Sequence, residues 1–97
     1  MHARVTTIAG SAADTEAGIE NFRTNVAPFA REEGGKGAIL LVDRQAGEAI
    51  AITLWVDEQA LRASEEAANA LRAAAADEMG ATQPPVVGRY EVAVFEV

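Results

Sequence analysis

The sequence predicts an α+β domain in which strands and helices follow the order β-α-β-β-α-β. Four segments are rich in β-branched and apolar residues, two segments between them have helical spacing of apolar residues, and Gly, Pro and Asp cluster at the boundaries. The 97 residues are the length of a single domain, spanning 1–97. This order is the ferredoxin-like arrangement, a βαββαβ sandwich in which two helices cover one face of an antiparallel sheet.

The first strand is predicted over Ala3–Ala9, where four β-branched residues follow one another. Ser11 then has the position of a helix N-cap, and acidic residues follow it near the positive end of the helix dipole. Apolar residues spaced by three and four form one stripe on this helix: Ile19, Phe22, Val26 and Phe29. Pro28 is expected to kink or end its last turn.

A hairpin and a second helix are predicted next. The unbroken apolar run Ala38–Val42 forms strand two, Asp43–Gly47 forms the turn, and Glu48–Val56 forms strand three. The second helix covers Asp57–Met79, and Ser64, a second helix-start residue, is where it can bend.

The last part of the chain is predicted to return to the sheet. Gly80 fits the left-handed conformation that ends many helices. Pro84 and Pro85 belong to an extended linker, and strand four is expected over Val86–Val97.

Both faces of the predicted sheet are apolar, which a sheet with one solvated face would not show. In strand three, Ile50, Ile52, Leu54 and Val56 share one face, and Ala49, Ala51, Thr53 and Trp55 share the other. Two helices can cover only one face, so we expect a homodimer packed sheet on sheet. The alternative is a monomer with buried central strands and short edges.

Composition excludes several classes of function. Fifteen acidic and eight basic residues give a net charge of −7, which argues against nucleic acid as a partner. The chain has no cysteine and one histidine, His2, so it offers no thiol nucleophile and no thiolate metal site. No apolar segment approaches the length of a membrane helix, and the N-terminus lacks the apolar core of a signal peptide. We therefore expect a cytoplasmic protein without a membrane partner.

Several short segments along nearly the whole chain together resemble the antibiotic biosynthesis monooxygenase-like family. They are Pro28-Phe29-Ala30-Arg31, Gly34-Gly35, Asp43–Gly47, Leu54-Trp55-Val56-Asp57-Glu58, Ala63-Ser64-Glu65, Leu71-Arg72 and Tyr90-Glu91-Val92. The resemblance implies that two ferredoxin-like units pair sheet to sheet into a dimeric α/β barrel. It also implies a cavity between the helices and the sheet of each subunit, into which the strand-three Trp55 reaches.

The chain departs from the family's functional motifs at two places. Cofactor-free oxygenases of the family have an Asn four residues before the tryptophan, where this chain has Ala51. Haem-degrading members have a His on the second helix and an Asn on strand one, where this chain has no His and only Thr6 and Thr7. These departures argue against haem degradation by the mechanism of those relatives, and the motif of the cofactor-free oxygenases is incomplete. We predict no haem, metal or other cofactor.

Trp55 is the centre of the predicted ligand pocket, because its neighbours on the same face are small. The candidate pocket residues are Trp55, Thr53, Phe22, Phe29, Arg31 and Ser64. Thr53, Ser64 or Arg31 would orient a substrate oxygen, and Thr53 or Ser64 would accept the indole N–H. The alternative is that Trp55 is a core aromatic packed against the first helix.

Other polar residues have plainer interpretations. Glu91 can face a buried region as a general base, but a structural pair with Arg89, two residues away on the same face, is favoured. Ser64 is interpreted as a helix cap rather than a nucleophile, because no histidine lies near it in sequence. No catalytic residue is assigned.

These observations predict a monooxygenase-like small-molecule enzyme that acts without metal on an apolar aromatic or polyketide-like substrate. The alternative is a non-catalytic small-molecule-binding or assembly domain of the same fold. The incomplete motif at Ala51 favours the second function, and the family resemblance favours the first.

Overall fold

The computed structural model describes residues 1–97 and confirms the predicted fold class. The elements are β1 (His2–Ala9), a 3₁₀ turn (Ala12–Asp14), α1 (Thr15–Asn21), a π-helical turn (Phe22–Val26), α2 (Ala27–Glu32), β2 (Gly37–Asp43), β3 (Glu48–Trp55), α3 (Glu58–Ala63), α4 (Glu65–Glu78) and β4 (Val86–Glu91). The four strands form one antiparallel sheet in the order β2-β3-β1-β4, which is the ferredoxin-like topology.

The register of the central strands decides which residues share a face. In the β1–β3 pair, Arg4 lies opposite Thr53 and Thr6 lies opposite Ala51. Arg4 also lies opposite Arg89 of β4. Because side chains alternate along a strand, these residues point to the same face, which the helices cover.

The first helix is one continuous helical stretch with an irregular middle. Ser11 caps its start, and its Oγ accepts the Ala13 N–H at 3.3 Å. In the π-helical turn the Ala27 N–H bonds to the Phe22 carbonyl, five residues back. Pro28 follows directly and has no N–H to donate, so the wider turn accommodates its ring. Pro28 thus interrupts the α-helical pattern, and the helix continues to Glu32.

The second helix breaks at Ser64, where the sequence predicts a bend. Asp57 caps α3, with its Oδ1 accepting the Ala60 N–H at 2.8 Å. The interpretation of Ser64 as a cap is wrong, because its hydroxyl donates back to the Leu61 carbonyl at 2.7 Å and caps no N–H. Gly80 has φ +67°, as predicted for the left-handed end of the helix.

Strand four is shorter than predicted and ends at Glu91 rather than Val97. Its partner β1 begins at His2, which lies opposite Glu91, so the ladder between the two strands ends at this pair. One more bond joins the Val92 N–H to the Met1 carbonyl at 2.9 Å. Beyond it the chain leaves the sheet, with Val94 and Phe95 exposed.

The apolar core on the helix side is small and built from mid-sized residues. Ile8, Ala49 and Met79 form its centre. Gly18 of α1 packs directly on Met79, since a Cβ there would lie 1.8 Å from the Met79 sulfur. Any larger residue at Gly18 would therefore force the Met79 side chain to move.

The opposite face of the sheet is apolar and is not covered by any other part of the chain. Ile39 and Leu41 of β2 are 41% and 50% exposed, and Tyr90 of β4 is 57% exposed. Ile50 and Ile52 of β3 lie between them and are half-buried. We refer to these five residues as the open face. No helix of the chain combines the length and the apolar character needed to cross a membrane.

Candidate functional site

Trp55 is the last residue of β3 and is fully buried on the helix-covered face. Its indole Nε1–H donates to Thr53 Oγ1 at 3.0 Å, because residues two apart on a strand share a face. The Phe29 ring of α2 meets the indole edge to face, with centroids 6.4 Å apart and planes at 66°. The indole N–H of Trp55 is therefore hydrogen-bonded, and its ring is packed against another aromatic ring.

The guanidinium of Arg4 lies over the ring of this tryptophan. Its guanidinium carbon lies 5.5 Å from the Trp55 ring centroid, within the range of a cation–π interaction. Only 4% of Arg4 is exposed. Its Nη2 donates to the Leu61 carbonyl at 2.9 Å, to Ser64 Oγ at 2.8 Å and to Glu65 Oε1 at 3.0 Å. These bonds offset the cost of removing a cation from water.

Glu65 joins Arg4 to the edge strand. It accepts from Arg89 Nε at 2.7 Å and from Arg89 Nη2 at 2.8 Å, a bidentate pair, and from Arg4 Nε at 3.1 Å. The Arg89 bonds, helped by Arg4 and opposed by burial, lower the pKa of Glu65 to about 2. The favoured pairing of Arg89 with Glu91 is wrong, since Arg89 binds Glu65 and Glu91 is exposed.

Arg72 of α4 is the third arginine beside Glu65. Its Nη1 donates to Asn69 Oδ1 at 2.5 Å. Its Nη2 is buried without a hydrogen bond, 3.9 Å from Glu65 Oε2. Burial lowers the pKa of Arg72, and the Glu65 charge opposes that change. Three arginines thus surround one carboxylate in this part of the molecule.

A cavity of about 50 Å³ lies between the sheet, the π-helical turn with α2, and α4. Seven of its eleven lining residues are apolar. The lining residues are Arg4, Thr6, Ile8, Val26, Phe29, Ala51, Thr53, Ala68, Leu71, Arg72 and Ala75. The volume is room for a few water molecules and is far below the roughly 300–1,000 Å³ of ligand pockets.

The candidate pocket residues lie at different places. Thr53 and Phe29 line this cavity, and Trp55 contacts both of them. Ser64 lies in the hydrogen-bond network of Arg4, outside the lining.

Two further candidates lie away from the cavity. Phe22 lines a separate groove with Ile19 and Leu40. Arg31 is exposed and lines a recess beside Lys36. The structure therefore does not bring either residue to Trp55.

Sequence reasoning missed the arginine cluster. The burial of Arg4 could have been predicted, because it is the sole charge in a strand of otherwise uncharged residues and shares a face with Thr6 and Ile8. The roles of Glu65 and Arg72 could not, since acids and bases on helices are ordinarily solvated. No group of three or more His, Cys, Asp or Glu side chains comes together as a metal site.

No protein-family model matches the chain. Uncharacterized protein Rv2557 of Mycobacterium tuberculosis (strain ATCC 25618 / H37Rv) is 36% identical over 96 residues. That match covers 98% of this chain and 42% of the relative, so the chain spans less than half the length of the relative.

Two solved structures share the fold over nearly the whole chain. One is a monooxygenase from the gene ActVA-Orf6 of Streptomyces coelicolor in complex with nanaomycin D, with a TM-score of 0.76, 20% identity, and coverage of 99% of this chain and 92% of that one. The other is a putative antibiotic biosynthesis monooxygenase from Nitrosomonas europaea, with a TM-score of 0.74, 20% identity, and coverage of 97% and 100%. At these identities the likeness establishes the fold.

Proposed function

We propose that the chain is a monooxygenase-like enzyme that acts on an apolar aromatic substrate. The proposal is supported by the fold, which is that of the antibiotic biosynthesis monooxygenase-like proteins, as the resemblance predicts. The observation that carries this proposal is the apolar cavity beside Trp55, which Phe29 lines on one side and α4 lines on the other. A small-molecule site of this kind is mostly apolar with a few placed polar groups. The neighbour from Streptomyces coelicolor was solved with nanaomycin D, and we extend a polycyclic ligand of that type to this chain.

The cavity must enlarge to accept such a substrate, since about 50 Å³ cannot hold a ring system. The wall formed by Val26 and Phe29 is where we expect this change. Val26 closes the π-helical turn, and π-helical turns are less regularly bonded than α-helix and frequent at functional sites. Displacing Phe29 would also remove its contact with the Trp55 ring.

A second copy of the chain completes the proposed enzyme by covering the open face. Ile39, Leu41 and Tyr90 expose apolar surface that a soluble protomer would ordinarily bury. A two-fold pairing of identical sheets buries the same patch on both copies, so one interface is self-complementary. The exposed segment that contains Val94 and Phe95 leaves the sheet at its edge and adds apolar surface for the partner.

Turnover of an anthrone under air tests the enzymatic function. Oxidation of the anthrone CH₂ to a carbonyl takes one oxygen atom from O₂ and releases the other as water, so the substrate itself supplies the electrons. We expect quinone formation above the uncatalysed rate, measured by mass spectrometry and oxygen uptake.

One cavity-filling variant and one surface control test whether the reaction takes place in this cavity. Ala51→Leu fills the cavity and is expected to abolish the added rate, whereas Ala73→Leu on the exposed side of α4 leaves it unchanged. Equal rates in both variants would contradict a reaction in this cavity.

A non-catalytic binding domain is the second candidate, and a specific observation favours it. None of the lining residues is a carboxylate, a histidine or an amide, and Ala51 occupies the position where the oxygenases have Asn. Saturable quenching of Trp55 emission without quinone formation would support binding alone.

A further inference from the structure

Arg31 and Lys36 are the two basic residues of the chain that form no ion pair. The sequence has eight lysine and arginine residues and fifteen acidic residues. The six other basic residues each have a carboxylate oxygen within 3.9 Å; they are Arg4, Arg23, Arg44, Arg62, Arg72 and Arg89. In a chain with so many acids, two unpaired cations are the exception, and both lie at one place.

That place is a recess between α2 and the start of β2. Its volume is about 230 Å³, larger than the cavity beside Trp55. The lining has no acidic residue and consists of Ala27, Ala30, Arg31, Gly35, Lys36, Gly37 and Ala38. Five of these seven residues are alanine or glycine, so the two exposed cations face a space between small residues. Two positive charges on one recess favour the approach of an anion.

The backbone of the loop before β2 brings the two cations together. The Gly35 N–H donates to the Ala30 carbonyl at 2.6 Å, and the Lys36 N–H donates to the Leu54 carbonyl at 2.7 Å. A Cβ at Gly35 would lie 2.5 Å from the Ala30 oxygen, so the loop can approach the helix this closely only with glycine. These bonds hold Lys36 beside the last turn of α2, which carries Arg31.

The same bonds determine which groups can bind a ligand. Because the N–H groups of Gly35 and Lys36 are already used, the donors left are the guanidinium of Arg31 and the ammonium of Lys36. The loop also precedes a strand, unlike the phosphate loop of nucleotide-binding proteins, which precedes a helix. A phosphate monoester carries about 1.5 to 2 negative charges at pH 7 and three acceptor oxygens, so it matches both cations. A singly charged anion matches only one.

We propose that this recess, the Arg31–Lys36 recess, binds the phosphate group of a small phosphorylated compound. The two cations bind the phosphate oxygens, and the small residues of the lining leave room for the rest of the ligand. The recess and the cavity beside Trp55 have no lining residue in common. The phosphate site is therefore independent of the proposed monooxygenase-like function, and its test needs no turnover.

Matched ligands test the charge that the recess selects. Glucose 6-phosphate, glucose 6-sulfate and glucose share one body and differ in charge, and calorimetry measures the affinity of each. We expect the phosphate to bind about three- to tenfold more tightly than the sulfate, and glucose not to bind. Inorganic phosphate distinguishes the source of the group. Equal affinity would identify free phosphate as a sufficient ligand, weaker binding would show that the body contributes, and either result supports the site.

Variants assign the binding to the two cations. Arg31→Gln and Lys36→Gln should each weaken glucose 6-phosphate binding about three- to tenfold, and the double variant should abolish it. The matched control Arg23→Gln, Arg44→Gln removes the same two charges at exposed, ion-paired arginines and should bind within about twofold of wild type. Ala51→Leu fills the cavity and should not change phosphate binding. Thermal unfolding checks that each variant is folded; should one single variant fail to fold, the other decides.

Three results would overturn the phosphate site. The first is equal affinity of the wild type for glucose and glucose 6-phosphate, or binding of neither phosphate compound. The second is an equal loss in the two double variants, since binding would then follow the net charge of the chain rather than the recess. The third is a set of amide shift changes in NMR that leaves residues 30–38 unaffected when phosphate binds. None of these results bears on the cavity beside Trp55.

Discussion

The two faces of the sheet differ in which residues they carry and in how far those residues are buried. The helix-covered face holds a buried arginine, Arg4, whose charge is matched by Glu65 and whose donors are bonded. The open face, Ile39, Leu41, Ile50, Ile52 and Tyr90, holds no charged residue and is partly exposed. The difference shows that this small chain places its buried, paired charges on one side of the sheet and its exposed apolar surface on the other.

Charging the open face should have the largest effect. The double variant Ile39→Glu, Leu41→Glu places two carboxylates in the proposed interface, where each would be buried without a partner. We expect the dimer dissociation constant to rise roughly a hundredfold or more, measured by sedimentation. The control Ala73→Glu, Ala74→Glu adds the same charge to the exposed side of α4 and should remain dimeric. A monomeric wild type at micromolar concentration would contradict the sheet-on-sheet homodimer.

Neutralising Glu65 tests the covered face. Glu65→Gln leaves Arg4 buried without a counter-charge, and we expect it to lower the free energy of unfolding by about 3 kcal/mol. Urea denaturation at fixed protein concentration measures this loss. Glu58→Gln removes an exposed partner of Arg62 and should cost less than about 0.5 kcal/mol. Equal losses in the two variants would show that the buried cluster has no special role in stability.

Acid titration tests whether the charge of Glu65 is the source of this stability. The folded-state pKa of Glu65 is about 2, below its ordinary value of 4.5, so its charge stabilises the folded state fully above pH 4.5. This contribution is lost as the pH falls from 4.5 to about 2. The difference in unfolding free energy between wild type and Glu65→Gln should therefore shrink over that interval. A difference that stays constant with pH would contradict the ion pair as its cause.

Removing the Trp55 acceptor should have the smallest effect. Thr53→Val leaves the indole N–H buried without an acceptor and should cost about 1–2 kcal/mol in unfolding free energy. Thr53→Ser keeps the hydroxyl and should restore most of the stability. If both variants lose the same amount, the threonine methyl group rather than the hydrogen bond supports Trp55.

Local patterns were sufficient for most of the fold. Ser11 and Gly80 fix the ends of helices through their own backbone and side-chain chemistry, and the hairpin turn Asp43–Gly47 lies between two apolar strands as predicted. The end of β4 could not be predicted, because it depends on where β1 begins rather than on the residues after Glu91.

The site was only partly accessible to sequence reasoning. The contact of Trp55 with Thr53 follows from strand periodicity, and its contact with Phe29 agrees with the apolar stripe of the first helix. Glu65 lies 61 residues from Arg4 in the chain, so no spacing rule connects them. A serine before an acidic pair is typical of a helix cap, yet packing turned Ser64 inward to Arg4.

The sequence by itself determined the βαββαβ order, the small core and the apolar character of both sheet faces, because each depends on residue type and local periodicity. The tertiary structure decided that Arg4 and Arg89 are both bonded to Glu65, whereas Arg72 Nη2 is left without a hydrogen-bond partner. The physical reason is that a buried charge is matched by groups that only the packing of α4 against β1 and β4 brings within bonding distance.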